Sequence, residues 1–508
     1  MTKRFYLTTA IAYPNGRPHM GHAYEAIATD AIARFKRLDG FDVRFLTGTD
    51  EHGLKIAQAA KAAGLSPRAY VDGTSQPFID LARQLGIGFD RFIRTTDDDH
   101  KALCQQLWQR MADKGDLYLG RYEGWYSVRD EAYYDEAELL VGEDSTGVPV
   151  KLSPQRTPVE WTVEESWFFR LSAYAEPLLA LYADQPDFLQ PISRFNEMRS
   201  FVAGGLSDLS MSRTSFDWGV PVPGSPGHVM YVWVDALANY LTGAGGLDGE
   251  WWPADLHIVG KDVVRFHAIY WPAFLMSAGL ALPKVVFGHG HVLNRGIKMS
   301  KSDGNVVDPA AMAERFGVDR LRWFLLRDVA FGDDGSYSDE AIIERTNADL
   351  ANGIGNLAQR ALSMVAKNLD GIMPAMGRRD GADALAASMA ALIDGYFAAM
   401  NALQLHRALE AVMAMVSAAN GFFAEAAPWK LAKTDVGAMA NVLAVTLDAT
   451  RRIVLLVQPF MPASSVALLD QLGVAPDARD FSTLDAIVAV GTLLPAPQGV
   501  FPRWVEPQ

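Results

Sequence analysis

Two imidazoles and two ammonium groups, most of three hundred residues apart, carry the most suggestive spacing in this chain. His19 and His22 flank Gly21 in the run HMGH, and Lys298 and Lys301 fall in the run KMSKS. Imidazole N–H and ammonium groups are donors suited to a phosphoryl group whose charge is being redistributed, provided that the fold brings them together. Other readings stand beside this one. Histidines three apart can cap a helix, and a lysine pair among Ser and Gly is an ordinary solvated turn. A metal centre is a third: His19, His22, His52, His289 and His291 could supply imidazoles, although no HExxH spacing joins them.

The elements that would position these groups are readable around them. Residues 5–11 form an apolar, β-prone run, Pro14-Asn15-Gly16 turns the chain, and from Gly21 onward Ile27, Ala31 and Phe35 recur at helical spacing. A second strand, Phe41 to Thr47, ends at Asp50-Glu51-His52-Gly53. The order β, α, β predicts a right-handed crossover and a parallel sheet. HMGH then sits at a strand-to-helix turn, where doubly wound sheets collect ligands and backbone N–H groups favour an anion. Gly21 would let a flat base approach the backbone. A helix is expected from about Asp97, whose side chain could cap it, to Gly115. From 116 to roughly 224 aromatic residues crowd a turn-rich stretch, which reads as an antiparallel or irregular insertion. Parallel-sheet signals return at Asp255–Gly260 and Lys284–Gly288, with a helix holding Phe266 and Trp271 between them. KMSKS follows a strand and is flanked by Gly296 and Gly304, so the loop could close and deliver Lys301 as charge develops. Beyond about 340 the alanine-rich pattern, with Leu385, Met389, Leu392, Phe397 and Met400, predicts an amphipathic helix bundle. The Pro-rich tail after Gly473 is expected to wrap back over the existing domains.

Composition narrows the class. A chain of 508 residues exceeds one core, so three or four domains are expected, and 21% charged residues suit a soluble globular protein. Thr8 and Thr9 break the apolar N-terminal run, which therefore reads as a buried strand and not as a secretory signal. Asp394, Asp448, Arg451 and Arg452 interrupt the best candidates for the roughly 20 apolar residues of a membrane helix, so no membrane is expected. The single cysteine, Cys104, lies with Leu103, Leu107 and Met111 on an apolar helical face and reads as a buried small hydrophobe. The net charge of −14 excludes a uniformly basic nucleic-acid binder, but residues 350–460 hold nine Lys and Arg against eight Asp and Glu, which permits a local RNA-facing patch.

HMGH and KMSKS, in this order, resemble the nucleotide-activating pair of a class I aminoacyl-tRNA synthetase. The runs TTAIAYPNGRPHMGHAYE at 8–25, MYVWVDALANY at 230–240 and HIVGKDVVRFHAIYWP at 257–272, with the KMSKS loop, resemble the methionyl-tRNA synthetases over essentially the whole chain. The resemblance implies an α/β fold: a Rossmann-like parallel-sheet catalytic domain split over 1–115 and 225–290, a connective insertion at 116–224, the KMSKS loop and stem-contact region at 291–345, and an all-α anticodon-binding bundle with its tail at 346–508. It implies activation of L-methionine with ATP and transfer to the 3′ end of methionine tRNA. Another hydrophobic-amino-acid synthetase and an RNA-binding protein that has lost catalysis are the alternatives, and the intact motifs count against the second.

Residue by residue, the resemblance implies a methionine site of Ile11, Ala12, Tyr13, Trp233, Ala236, Leu237, Tyr240, Val263, Phe266, His267 and Trp271, with Asp50 holding the ammonium group. An aromatic-lined cavity suits a polarizable thioether. Leu237 and Val263 stand where relatives often carry larger or more rigid residues. ATP, accompanied by Mg²⁺, is implied to meet His19, Gly21, His22, Glu25, Gly260, Asp262, Val292, Lys298 and Lys301, with His19, His22, Lys298 and Lys301 catalytic. Asn356, Arg360 and Trp429 match the anticodon readers, Trp429 as a stacking plane stiffened by Pro428.

One departure is clear. Where many relatives carry zinc-binding cysteine pairs, Tyr126 to Asp144 offers no thiolate. No structural zinc is expected, with aromatic packing holding the knuckle. The insertion is shorter than the editing domains of the valine, isoleucine and leucine enzymes, so homocysteine is expected to be rejected by cyclisation in the synthetic site. The sequence after the bundle is too short for an appended tRNA-binding β-barrel, and a cytoplasmic monomer is expected.

Overall fold

The first strand, β1 (Arg4–Thr9), is flanked on both sides by parallel neighbours, and the rest of the catalytic half is arranged around it. The structure is a computed structural model that describes residues 3–130, 132–143, 148–299, 305–377 and 381–506. Helix α1 (Met20–Leu38) leads from β1 to β2 (Asp42–Thr49), followed by β3 (Arg91–Arg94) and α2 (Asp98–Asp113). Further along come β4 (Leu189–Gln190), α3 (Val232–Ala244), β5 (Leu256–Gly260) and β6 (Val286–His289). The sheet order is β3-β2-β1-β5-β6-β4, and every pairing is parallel. Winding proceeds outward from β1 to β3 and then restarts on the other side of β1 with β5. The strand order therefore reverses between β1 and β5, and their carboxyl ends diverge around a crevice. β4 comes from within the stretch 116–224 that reads as an insertion and supplies the far edge of the central sheet.

Local chemistry accounts for the element ends, with one correction. Asp97 precedes α2 as expected but makes no side-chain cap; its carboxylate accepts from the Arg94 N–H at 3.1 Å instead, closing the turn after β3. Helix α3 stops where Gly245 adopts φ 99°, a left-handed conformation that suits glycine. The same helix lies flat on the sheet because Gly243 has no side chain: a Cβ there would sit 2.4 Å from Leu46 Cδ2 and 2.5 Å from the Tyr6 hydroxyl. Residues 117–127 and 160–169 form a long antiparallel pair that carries the rest of the insertion.

The second half is built mainly on helices α4 (Val318–Asp328), α5 (Asn356–Asn368), α6 (Ala382–Asn401), α7 (Leu405–Ala426) and α8 (Val436–Val457), with shorter helices between and after them. α8 is apolar nearly all round and is buried from Val442 to Val457 except at a few positions, which makes it the centre of the bundle. By length and composition α6 is long and apolar enough to cross a membrane, with Asp383 and Asp394 the charged residues within it. Here it turns back through residues 402–404 and pairs with α7. The tail returns as expected: the Trp504 N–H donates to Asn347 Oδ1 at 2.8 Å, and its ring packs on Phe316.

Two hydrophobic cores cover the two faces of the sheet. One contains α2, α3 and the helices of the insertion; the other runs from α1 without a break through α4 into the bundle and tail. At the second seam, Arg322 of α4 is wholly buried. Its Nη2 meets Asp30 of α1 at 2.6 Å, and its N–H groups donate to the carbonyls of Phe460 and Pro459, both at 2.9 Å, and of Leu85 at 3.3 Å.

Candidate active site

The crevice between β1 and β5 opens onto the first turn of α1. His19 is the residue before that helix, with extended backbone, and its Nδ1 accepts from the Gly21 N–H at 3.1 Å. His22 Nδ1 reciprocally accepts from the His19 N–H at 3.1 Å, and the two rings lie 3.9 Å apart. A neutral imidazole that accepts at one nitrogen donates from the other. Both histidines are thus held in the tautomer that leaves Nε2–H as the donor. Capping and phosphoryl recognition, alternatives in the sequence, are compatible because they use different nitrogens. Gly21 has a reason beyond access for a base: a Cβ would fall 3.0 Å from His19 Cε1, against the ring that caps the helix.

At the end of β5, Gly260 leads into a single turn, Lys261–Val263. Asp262 Oδ2 accepts from His291 Nε2 at 2.7 Å and lies 3.8 Å from Lys298 Nζ. Burial would raise the Asp262 carboxyl, but the His291 hydrogen bond and the charges of His291, Lys298 and Lys261 hold it below the usual carboxylate range. His289 bridges two acceptors: its Nε2 lies 2.8 Å from Glu25 Oε2, on α1, and its Nδ1 lies 2.8 Å from the Gly290 carbonyl oxygen. Val292 is buried in the short strand Val292–Asn294 beside Gly335–Tyr337. Lys298 is exposed, and Lys301 lies outside the described residues.

The other wall is aromatic. Trp233 stacks on Phe266 at 3.7 Å with the rings 6° from parallel, and Ala236, Leu237, Tyr240, His267 and Trp271 are buried around them. Residues 266–270 form a π-helix, a geometry that inserts one residue into a helical turn and often marks functional sites. Ile11, Ala12 and Tyr13 line the opposite lip, where Ala12 bridges to Thr49 and the Tyr13 hydroxyl donates to the His52 carbonyl at 3.1 Å. Tyr240 donates to His267 Nε2 at 2.6 Å, and His267 Nδ1–H donates to the Val263 carbonyl at 2.9 Å. Burial pushes His267 down to about 4 and raises Tyr240 well above its ordinary value, so the pair stays neutral across the physiological range. The unfolded chain binds a proton at this histidine near pH 6.5 and the folded chain does not until about 4. Stability is therefore lost as pH falls through that window. Urea denaturation of His267→Gln should show a smaller acid-side loss than wild type between those pH values, by on the order of 3 kcal/mol.

Three polar residues of this region, Glu51, His100 and Asp235, were not among the expected site residues, and His52 was named only as a possible metal ligand. Glu51, wholly buried, takes Arg94 Nε at 2.6 Å, Ser75 at 2.7 Å and Thr49 at 2.8 Å. His52 Nδ1 donates to Asp235 Oδ2 at 2.6 Å, and His100 Nε2 donates to Asp235 Oδ1 at 2.7 Å. Burial alone would raise the Asp235 carboxyl; His52 and His100 together hold it below the usual carboxylate range. Asp50, the expected ammonium anchor, is buried at the head of this turn. Only the polar character of DEHG hinted at the arrangement.

The imidazoles weighed as one metal set are dispersed to separate carboxylates: His52 to Asp235, His289 to Glu25 and His291 to Asp262. His100, Cys104 and Asp235 are the one group of described residues close enough to share an ion. They already bond to one another, with Cys104 Sγ 3.3 Å from His100 Nε2; Cys104 is buried in the apolar core with Leu103, Leu107 and Met111 as expected, with this polar pair at its sulfur.

The knuckle of the insertion is built differently from the expectation. Aromatic contacts are present, Trp125 on Trp161 and Lys151 over Trp125, but its centre is polar. Asp130 Oδ2 accepts from Thr157 at 2.5 Å, Ser153 at 2.6 Å and Tyr134 at 3.0 Å, and Ser127 lies 2.6 Å from Thr157. Hydroxyls and one carboxylate with mutually matched hydrogen bonds are a poor set for Zn²⁺, which favours thiolate and imidazole.

In the helical half, Asn356 and Arg360 stand one turn apart on α5. The Arg360 guanidinium lies 5.3 Å from the Trp429 ring and 4.8 Å from Phe423, so the structure brings together two of the three expected readers. Trp429 is 42% exposed, which leaves a ring face for stacking. Ala427, at φ 44°, turns the chain sharply before Pro428 and so presents the ring.

The family model described as tRNA synthetases class I (M) matches residues 5–144 and 148–362. That described as the anticodon binding domain of methionyl tRNA ligase matches 373–506. The methionine–tRNA ligase of Mesorhizobium japonicum is 57% identical over 99% of this chain and 98% of its own length; that of Mycobacterium bovis is 57% identical over 100% and 99%. The Mycobacterium tuberculosis methionyl-tRNA synthetase solved with methionyl-adenylate superposes with a TM-score of 0.96 at 56% identity, covering 99% of this chain and 100% of that one. Its free form gives 0.90 at 52% identity, covering 100% and 99%. A parallel sheet with its donors at the switch point, continued by a helical anticodon domain, defines a class I aminoacyl-tRNA synthetase. Within that class the chain belongs to the methionyl-tRNA synthetases, the ATP-dependent ligases that join methionine to tRNA.

Proposed function

We propose that the crevice between β1 and β5 forms methionyl adenylate and then charges the 3′ end of methionine tRNA. The observation that carries this reading is the pair of tautomer-fixed imidazoles at the strand-order reversal. Methionine's carboxylate oxygen attacks the α-phosphorus of ATP; the new P–O bond forms as the bond to the β-phosphate oxygen breaks, and pyrophosphate leaves with Mg²⁺ that entered with ATP. His19 and His22 donate from Nε2 to the reacting phosphates. Lys298 and Lys301 stabilise the charge moving onto pyrophosphate. Gly21, Gly260 and Val292 shape the nucleotide site, and Glu25 and Asp262 receive ribose hydroxyls. Asp50 holds the α-ammonium group, while Ile11, Ala12, Tyr13, Trp233, Ala236, Leu237, Tyr240, Val263, Phe266, His267 and Trp271 enclose the side chain. A terminal ribose hydroxyl of the tRNA then attacks the adenylate carbonyl carbon and AMP departs. No enzyme nucleophile is required.

Asn356, Arg360 and Trp429 form the anticodon-reading surface in this proposal. The hydrogen-bonded Asp130 cluster takes the structural place of zinc, and the enzyme works as a cytoplasmic monomer away from membranes. The domain division is that read from the sequence. Two substitutions separate the sites. Lys301→Ala suppresses methionine-dependent pyrophosphate exchange, whereas Trp429→Ala leaves exchange near wild type and depresses tRNA charging about 10-fold or more, as the loss of one stacking plane predicts. Equal loss of both activities in Trp429→Ala would overturn the anticodon assignment, and exchange driven by isoleucine in place of methionine would overturn the substrate.

A further inference from the structure

Asp235 has no solvent exposure and stands on α3 between Trp233 and Ala236, two residues of the proposed methionine pocket. Its two carboxylate oxygens receive N–H groups from histidines far away in the chain, His52 at 2.6 Å and His100 at 2.7 Å. The second imidazole closes back onto the same helix, with His100 Nδ1 2.9 Å from Thr242 Oγ1. His52 belongs to the turn that presents Asp50. Its carbonyl receives the Tyr13 hydroxyl at 3.1 Å, and its ring packs edge-on against Trp218. Trp218 in turn donates to the Glu51 carbonyl at 2.7 Å and accepts from the Gly53 N–H at 3.1 Å. On the other side the Glu51 carboxylate ties the turn to Arg94, Ser75 and Thr96.

The Asp50 turn is therefore bolted at two points. Glu51 fixes it to β3 and its neighbouring helix, whereas His52 fixes it to α3. Only the second bolt sets the distance between the carboxylate that would take methionine's amine and the helix that would take its side chain. We propose that Asp235 is a positioning residue for methionine's α-amino group, holding the Asp50 turn in register with the side-chain pocket through His52 and His100. The proposal rests on the reading of Asp50 as the ammonium anchor. A charge-assisted bond between carboxylate and ammonium is strongly dependent on geometry, so a small slip of the turn costs affinity for the amine. It leaves the nucleotide contacts alone, because those lie at the start of α1, at the end of β5, and on Val292 and the loop after it, none of which the His52–Asp235–His100 bonds touch.

The test uses the full-length enzyme in pyrophosphate exchange, with thermal melts of every variant. Asp235→Asn raises the KM for methionine about 10-fold or more, as expected for losing hydrogen bonds to a charged group. The KM for ATP stays within about twofold. Inhibition by L-methioninol, which keeps the amine, weakens in parallel, whereas inhibition by the des-amino acid of methionine does not change. His52→Asn, whose amide N–H can replace Nδ1–H, retains most of the affinity that His52→Ala loses, which keeps the proposal open to test should Asp235→Asn fail to fold. Cys104→Ala, which leaves both histidines in place, keeps both KM values within about twofold. A methionine KM unchanged in Asp235→Asn, a parallel rise in both KM values, or equal losses in His52→Asn and His52→Ala would overturn the positioning role. Asp50→Asn distinguishes the underlying reading: methioninol binding intact in that variant would remove the anchor itself.

Discussion

A His22→Ala variant loses about 10²–10³-fold in the turnover of methionine-dependent pyrophosphate exchange while its KM for methionine stays close to wild type. The imidazole donates from Nε2 to a group that gains charge only in the transition state, so its removal is felt in kcat more than in binding. The same substitution also removes a helix cap, because His22 Nδ1 accepts the His19 N–H. A lost cap costs about 1 kcal/mol of stability. His22→Asn separates the two roles. Its side-chain oxygen can take the place of Nδ1 and restore the melting temperature, yet nothing in it reaches the position of Nε2. Stability recovered without turnover is the expected result in melts and exchange assays on the two variants. Turnover recovered along with stability would mean that His22 serves the helix alone.

Arg322→Ala lowers stability by about 3–5 kcal/mol, the cost of opening a buried ion pair by removing one partner. The guanidinium meets Asp30 and three backbone carbonyls from two other segments, and none of these carbonyls can turn to water where it is buried. Asp30 keeps Arg34 at 2.7 Å and the Gly88 N–H at 2.8 Å, so the loss concentrates on the Leu85, Pro459 and Phe460 carbonyls and on the space vacated. Arg322→Lys recovers little, because one ammonium cannot reproduce a planar fork that donates in three directions. Urea unfolding monitored by tryptophan fluorescence measures the change. A midpoint equal to wild type would show that the seam between α1 and the bundle is held by apolar contact alone.

The β1, α1, β2 sequence was legible because each element carries its own periodicity and the Pro14-Asn15-Gly16 turn sits between them. HMGH could be placed at a strand end for the same reason. What its histidines do there was not legible: the choice between cap and donor depends on which ring nitrogen meets which N–H, and spacing cannot say. Asp235 and His100 escaped notice because their partners lie 183 and 135 positions away, and a lone Asp or His on a helix face carries no period of its own. β4 was hidden by its length of two residues and by the antiparallel stretch before it. The knuckle carries a weaker signal. Ser127, Asp130, Ser153 and Thr157 recur at close intervals on both sides of a hairpin, but hydroxyls are so common in turns that aromatic residues drew the attention instead.

The unbroken core from α1 through α4 to the tail has a consequence for modularity. Phe35 of α1 packs on Tyr396, Phe397 and Phe481, so the helix whose first turn holds the phosphate donors has its far face upholstered by the anticodon half. The two halves are separate in chemistry but joint tenants in folding. A recombination that exchanged the tRNA reader at the boundary between them would inherit an unmatched apolar seam under the active site, so such grafts are constrained by steric heredity as much as by the identity of the tRNA.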